Sequence, residues 1–165
     1  MIRMTPPWRR AGVGMGSNSG SRLEQIHAAE KFLRGLHDQE SGPFLISRIH
    51  ETAPVDCPPH SPAFLNAVAE LSTSLEPFAL LEKFLEFECA SGRENRIIRN
   101  APRVIDLDLL YLDDLELSND HLTLPHPRMT ERAFVLIPLA EISPLRILPG
   151  QTRSIADLAA ALSPA

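Results

Sequence analysis

Along this chain, runs with a two-residue hydrophobic period alternate with runs of helical spacing, and the alternation predicts most of the elements. Residues 11 to 16 read as a short strand that contains glycine. Ser21-Arg22-Leu23-Glu24 has the pattern of a capping box and opens a helix whose apolar stripe is Leu23, Ile26, Leu33 and Leu36. Phe44 to Ile49 is β-like. Four prolines between Glu51 and Pro62 deny that segment regular backbone pairing and predict a loop. From Phe64 to Leu71 a strict alternation puts Leu65, Ala67, Ala69 and Leu71 on one face and Phe64, Asn66, Val68 and Glu70 on the other.

The second half repeats the theme. Pro77 suits the first turn of a helix carrying Phe78, Leu81, Phe84 and Leu85 at helical spacing, and Gly92 stops it. An arginine-rich loop over residues 93 to 102 leads into a strand from Arg103 to Leu112, with Asp113-Asp114 as its turn and a short apolar strand at Leu115 to Leu117. A loop from Leu122 to Arg128, a partly helical segment from Thr130 to Ile142 around Pro138, and a terminal helix from Ser154 to Leu162 complete the chain. The order strand–helix–strand–strand–helix–strand predicts an α+β, ferredoxin-like antiparallel sheet with helices packed on it. A single domain over residues 11–165, preceded by a basic, flexible extension at residues 1–10, is the expected organisation.

Composition narrows the class. At 165 residues the chain is long enough for one well-buried core, and 44% hydrophobic with 22% charged residues is ordinary for a soluble globular protein. Fifteen prolines are about twice average usage and point to long loops. A formal net charge of −5 argues against nucleic-acid binding, which leaves a basic footprint. No apolar run reaches the roughly 18 residues of a membrane span. Cys57 and Cys89 have neither metal-site spacing nor the density of a disulfide framework, so a reducing cytoplasm is expected.

The chemistry concentrates at Asp106-Leu107-Asp108. Carboxylates two residues apart share one face of a strand but diverge by about 200° on a helix, and Ile105, Leu107 and Leu109 fill the other strand face. Such a pair repels itself unless a cation intervenes, and hard oxygen ligands suit Mg²⁺ carried with phosphates. Exposed Asp-x-Asp pairs also occur on strand ends without metal. Arg93, Arg96, Arg99 and Arg103 form either a solvated loop or a phosphate clamp, because the guanidinium fork matches phosphate oxygens. His121 and His126 are five residues apart with no cysteine beside them, which argues against zinc. Gly14-Met15-Gly16-Ser17 lacks the spacing of a phosphate-binding P-loop.

The run Arg99-Asn100-Ala101-Pro102-Arg103, continuing through Asp106-Leu107-Asp108-Leu109-Leu110, resembles the signature of the 6-hydroxymethyl-7,8-dihydropterin pyrophosphokinases of the folate pathway. Further matches follow in family order over roughly residues 11 to 150. These are Gly16-Ser17-Asn18, Leu23-Glu24-Gln25, Thr52-Ala53-Pro54-Val55, Phe64-Leu65-Asn66, Gly92-Arg93, Leu122-Thr123-Leu124-Pro125-His126 and Arg132-Ala133-Phe134.

The resemblance implies transfer of a pyrophosphoryl group from ATP to the pterin hydroxymethyl, with release of AMP. It places two Mg²⁺ ions on Asp106 and Asp108 and makes Arg93 and Arg103 catalytic contacts of the triphosphate. It assigns Leu109, Thr123, His126 and Arg132, with the same two arginines, to ATP. Thr52, Ala53, Val55, Phe64, Asn66 and Phe134 go to the pterin: two phenylalanines sandwich the ring, and Asn66 meets its amide-like edge with a donor and an acceptor. ATP and the pterin are the implied partners, with neither nucleic acid nor membrane. Without the motifs, the two phenylalanines read as core residues and His126 as structural. Asn100 stands where a tryptophan is common, Asn95 where a basic residue is frequent, Ala53 where a proline is usual and Pro127 where an aromatic is often seen. Two other readings stay open: a nucleotide-sugar glycosyltransferase, which also uses Asp-x-Asp with Mg²⁺, and a pterin- or nucleotide-binding protein without turnover.

Overall fold

The computed structural model describes residues 8–54, 59–92 and 104–162. In chain order the elements are β1 (Arg9–Ser17), α1 (Arg22–Leu36), β2 (Leu45–Ile46), β3 (His50–Thr52), β4 (Phe64–Thr73), α2 (Pro77–Ala90) and β5 (Asp106–Leu112). There follow β6 (Leu117–Ser118), β7 (Thr123–Leu124), a 3-10 turn (Met129–Glu131), α3 (Ala133–Ile142) and α4 (Ile155–Leu162). The main sheet runs β2-β4-β1-β5, with β3 continuing along the β4 edge beyond β2, and every neighbouring pair is antiparallel. This is the expected α+β ferredoxin-like arrangement.

Period-two alternation sorts the sheet into two faces. One buries Ala11, Val13, Met15, Ala67, Ala69, Leu71, Leu107 and Leu109 against Ile26, Ala29 and Leu33 of α1 and Leu80 and Phe84 of α2. Phe87 of α2 stacks on Phe32 of α1 with ring centroids 4.5 Å apart, which joins the two helices. The opposite face carries Val68, Leu110 and Tyr111, which pack under Leu136 and Leu139 of α3 and Ile155 and Leu158 of α4.

A bulge makes this second packing possible. Val13 pairs with Leu109 but Gly12 pairs with Tyr111, so Leu110 has no partner of its own opposite it on β1. Tyr111 then lies over Gly12, where a Cβ would stand 2.3 Å from its ring. Its hydroxyl donates to Glu70, Arg10 Nε donates to the other Glu70 oxygen at 3.0 Å, and the Arg146 guanidinium sits 4.4 Å from the Tyr111 ring centroid. The buried Glu70 carboxylate is thus compensated by two cations and a hydroxyl. Burial, followed by the charge of Glu70, pushes the Tyr111 pKa far up.

Several local expectations give way to tertiary context. β1 starts at Arg9, inside the segment read as an extension, because Arg10 is anchored by Glu70 and Ser72. Ser21 does cap α1, but its side chain makes no capping bond; its carbonyl accepts the Gln25 N–H instead. Leu23 is half exposed, since α1 meets the sheet through Ile26, Ala29 and Leu33, which begin one turn later. On α2 the buried stripe is Pro77, Leu80, Phe84 and Glu88, rotated by one residue from the one the spacing suggested, and Phe78 and Leu85 face outward. Both stripes are helical in period, and the sheet selects between them.

β3 takes Glu51 and Thr52 from the segment read as loop; it fits there because the prolines begin only at Pro54. The Leu122-to-Arg128 loop likewise contains β7, whose Leu124 pairs with Leu117. Pro77 at the helix start, Gly92 with φ +98° past its end, and the Asp113-Asp114 turn match the reading of the sequence.

Candidate active site

α3 and α4 cover only part of their sheet face. Beyond them the floor is β1, where glycines take the upward positions: Gly16 lies between Asn66 on β4 and Asp106 on β5, and Gly14 between Val68 and Asp108. A Cβ on Gly16 would stand 3.2 Å from Asn66 Oδ1 and 3.7 Å from Phe64 Cδ1. One on Gly14 would be 3.9 Å from the Asp108 Cβ. The glycines therefore leave a shallow shelf with a hydrogen-bonding amide on one side and an acidic pair on the other.

The amide side is ordered by short contacts. Asn66 is almost fully buried and donates from Nδ2 to Thr52 Oγ1 at 2.5 Å. Thr52 pairs directly with Phe64 across β3 and β4, and Ala53 follows it, exposed. Val55 lies outside the described residues. Phe134, in the first turn of α3, packs at the edge of the cluster formed by Val68 and Leu110, on this same sheet face, with the Arg132 guanidinium 5.5 Å from its ring centroid.

On the acidic side, Asp106 and Asp108 alternate with Leu107 and Leu109 as expected: the carboxylates are half-buried on the shelf and the leucines lie in the core. The strand that carries them is pinned from its outer edge. Glu88 of α2, itself buried, accepts the Leu107 N–H at 2.8 Å, so the peptide between the two aspartates cannot drift. The Ser17 hydroxyl donates to the Val104 carbonyl just before the strand. Neither supporting residue was anticipated from the sequence. The available signal for Glu88 was an acid in register with Leu80 and Phe84 on the helical stripe.

His126 stands over the acidic end. Its backbone N–H donates to the Leu110 carbonyl at 2.7 Å, and its Nδ1 accepts the Arg128 N–H at 3.2 Å. Burial lowers its pKa first, then the charges of Arg132 and Arg128, while Asp106 opposes them. The ring is therefore neutral near pH 7, with Nδ1 as acceptor and Nε2 as the N–H donor. The same balance of charges places Arg132 and Asp106 in the electrostatic neighbourhood of His126. Thr123 lies nearby in sequence on β7, opposite Ser118. Leu109 is different: its side chain is in the core on the opposite sheet face, so no side-chain contact on the shelf is open to it. Arg93 and Arg103 lie outside the described residues.

Among the described residues no three metal-ligating side chains converge. A cation on Asp106 and Asp108 would also draw on substrate oxygens and water. That is how Mg²⁺ is normally carried with a nucleotide, so the donor set fits it.

Residues 12–144 match the family model of 7,8-dihydro-6-hydroxymethylpterin-pyrophosphokinase. The chain is 38% identical over 147 residues to the 2-amino-4-hydroxy-6-hydroxymethyldihydropteridine pyrophosphokinase of Methylorubrum extorquens, covering 87% of this chain and 88% of that one. The chain belongs to the pyrophosphokinase family. Its counterpart in Bacillus subtilis is 41% identical over 133 residues, or 80% of this chain and 77% of the relative.

In fold the chain superposes with a TM-score of 0.71 on the crystal structure of Plasmodium falciparum HPPK-DHPS with pteroate. The sequences there are 14% identical, and the match covers 97% of this chain but 43% of the longer one. As a pyrophosphokinase, the chain transfers a pyrophosphoryl group from ATP to 6-hydroxymethyl-7,8-dihydropterin in folate biosynthesis. The Mg²⁺ that accompanies ATP in this family suits the two carboxylates of the shelf.

Proposed function

We propose that the pyrophosphokinase reaction runs on the glycine-floored shelf, with the pterin on its Asn66 side and the triphosphate on its Asp106 side. The observation that carries this reading is that Asn66 and Asp106 flank the same residue, Gly16, on one sheet face. A ring held by its edge at Asn66 therefore sits next to the metal-binding carboxylates.

Phe64 and Phe134 supply the flat apolar faces, and Asn66, oriented by Thr52, supplies the directional contacts; Ala53 and Val55 are assigned to the pterin with them. The pterin hydroxymethyl oxygen attacks the β-phosphorus of ATP. A new P–O bond forms as the bond from that phosphorus to the α-phosphate oxygen breaks; AMP leaves, and the hydroxyl proton goes to solvent. Such a transfer asks for alignment and charge neutralisation rather than a covalent enzyme group. Asp106 and Asp108 would hold two Mg²⁺ ions, which would supply positive charge for the triphosphate and acidify the attacking hydroxyl. Arg93, Arg103 and Arg132 meet the phosphate charge, His126 donates to it from Nε2, and Thr123 borders the nucleotide. We place Leu109 beneath the nucleotide as core support for β5, its side chain turned away from the ligand. A cytoplasmic setting fits a chain in which no described helix is long and apolar enough to cross a membrane.

The test is a product assay with ATP, Mg²⁺ and the pterin: AMP and diphosphorylated pterin should appear in equal amounts. Asp106→Ala and Asp108→Ala should each lower turnover by roughly 10²–10³, the scale of losing one transition-state electrostatic contact. Near-normal turnover in either variant would remove the acidic pair from the mechanism.

A further inference from the structure

Glu141 lies two turns beyond Phe134 on α3 and reaches across to the segment that enters β3. Its Oε1 accepts the Arg48 backbone N–H at 2.9 Å, and its Oε2 is 2.6 Å from His50 Nε2. The Arg48 guanidinium is 3.7 Å from Oε1 but 85% exposed, so it adds little. Burial raises the Glu141 pKa, yet the bonds from Arg48 and His50 outweigh it and leave the carboxyl below its ordinary value, hence ionised at neutral pH.

The location of this contact gives it a consequence. β3 is three residues long and, among the described residues, pairs with the sheet through β4 alone, so its own hold is weak. Ser47 anchors the preceding segment, donating its N–H to the Val68 carbonyl at 2.9 Å and accepting the Val68 N–H on its hydroxyl. From there to Thr52, the bonds to α3 run through Glu141. β3 carries Thr52, which orients Asn66, and α3 carries Phe134.

We propose that Glu141 is a positioning residue for the pterin: a strut that sets the separation between β3 and α3, and with it the width of the slot between the Thr52–Asn66 edge and Phe134. The inference rests on the reading that these residues receive the ring. It assigns a role in binding one substrate to a carboxylate two helical turns from the aromatic that would touch it.

Titration calorimetry of the full chain separates the substrates. Glu141→Ala should weaken the pterin roughly tenfold, the effect of losing a charge-assisted hydrogen bond, and leave MgATP within about twofold. Glu141→Gln keeps an oxygen for the Arg48 N–H and should restore most of the affinity. His50→Phe removes one of the two ties and should act in the same direction with a smaller effect; it carries the test if Glu141→Ala does not fold. Unchanged pterin affinity overturns the proposal. So does equal weakening of both substrates with a lowered unfolding temperature, which marks a purely structural tie. Phe134→Ala is the control for the pocket itself: if it leaves pterin binding intact, the pocket assignment fails, whatever Glu141→Ala does.

Discussion

Gly16 and Asn66 face each other across β1 and β4, so closely that a methyl group on Gly16 would stand 3.2 Å from Asn66 Oδ1. Asn66 cannot easily retreat, because its Nδ2 is bonded to Thr52. The glycine thus protects an orientation of the amide as well as an open floor. Gly16→Ala should weaken pterin binding by roughly tenfold, the effect of one misplaced hydrogen-bonding edge. Its effect on folding should be small, since alanine also restricts the unfolded chain by about 0.4–1 kcal/mol in favour of the fold. Pterin titration beside thermal unfolding checks both halves, and a large loss of stability with intact binding would contradict them.

Glu88 and the Leu107 amide should be separable by chemistry at one position. Glu88→Gln keeps an oxygen acceptor for the amide and should retain most stability. Glu88→Ala leaves a buried N–H unpaired and should cost about 1–3 kcal/mol. Turnover should follow the same order, because the amide lies between Asp106 and Asp108. Denaturant unfolding and a Mg²⁺ titration of activity on both variants provide the comparison.

His126 should titrate below the ordinary histidine value in the free protein, because burial and two arginines disfavour its charged form. With the folded pKa depressed, the unfolded chain binds more protons at this site than the folded one. Stability from His126 is therefore fully present above the unfolded value of about 6.5 and is lost as pH falls through the folded pKa. MgATP should move the titration upward if the phosphates lie against the ring. Proton NMR of the imidazole with and without nucleotide reads both effects, and His126→Gln should remove this part of the acid dependence of unfolding.

Gly12→Ala should destabilise the fold without touching the shelf. The added methyl would lie 2.3 Å from the Tyr111 ring, and Tyr111 is held by Glu70 and Arg146. Overpacking of this kind typically costs about 1–3 kcal/mol. Combining it with Tyr111→Leu should recover part of that loss, so the double variant should be less destabilised than the sum of the singles. Unfolding midpoints of the three variants decide the matter.

The candidate site was legible where its residues share one local period. Asp106 with Asp108, and Phe64 with Asn66, stand on common strand faces because side chains alternate every residue, and this needs no knowledge of the rest of the molecule. The order of strands and helices likewise pointed to the sheet that forms. β3 and the buried stripe of α2 were not legible. β3 is only three residues long and takes its pairing from β4, and the buried stripe of α2 includes Glu88, which no count of apolar positions selects.

By itself, then, the amino-acid order determined which carboxylates and aromatics share a surface, because alternation is a property of neighbours in the chain. Only the tertiary structure decided what holds that surface in place. Glu88 meets Leu107 across 19 residues, Tyr111 meets Glu70 across 41, and His50 meets Glu141 across 91. Nothing local in the sequence pairs any of these groups with its partner. What makes each one structural is a partner brought beside it by packing, and no local pattern records that encounter.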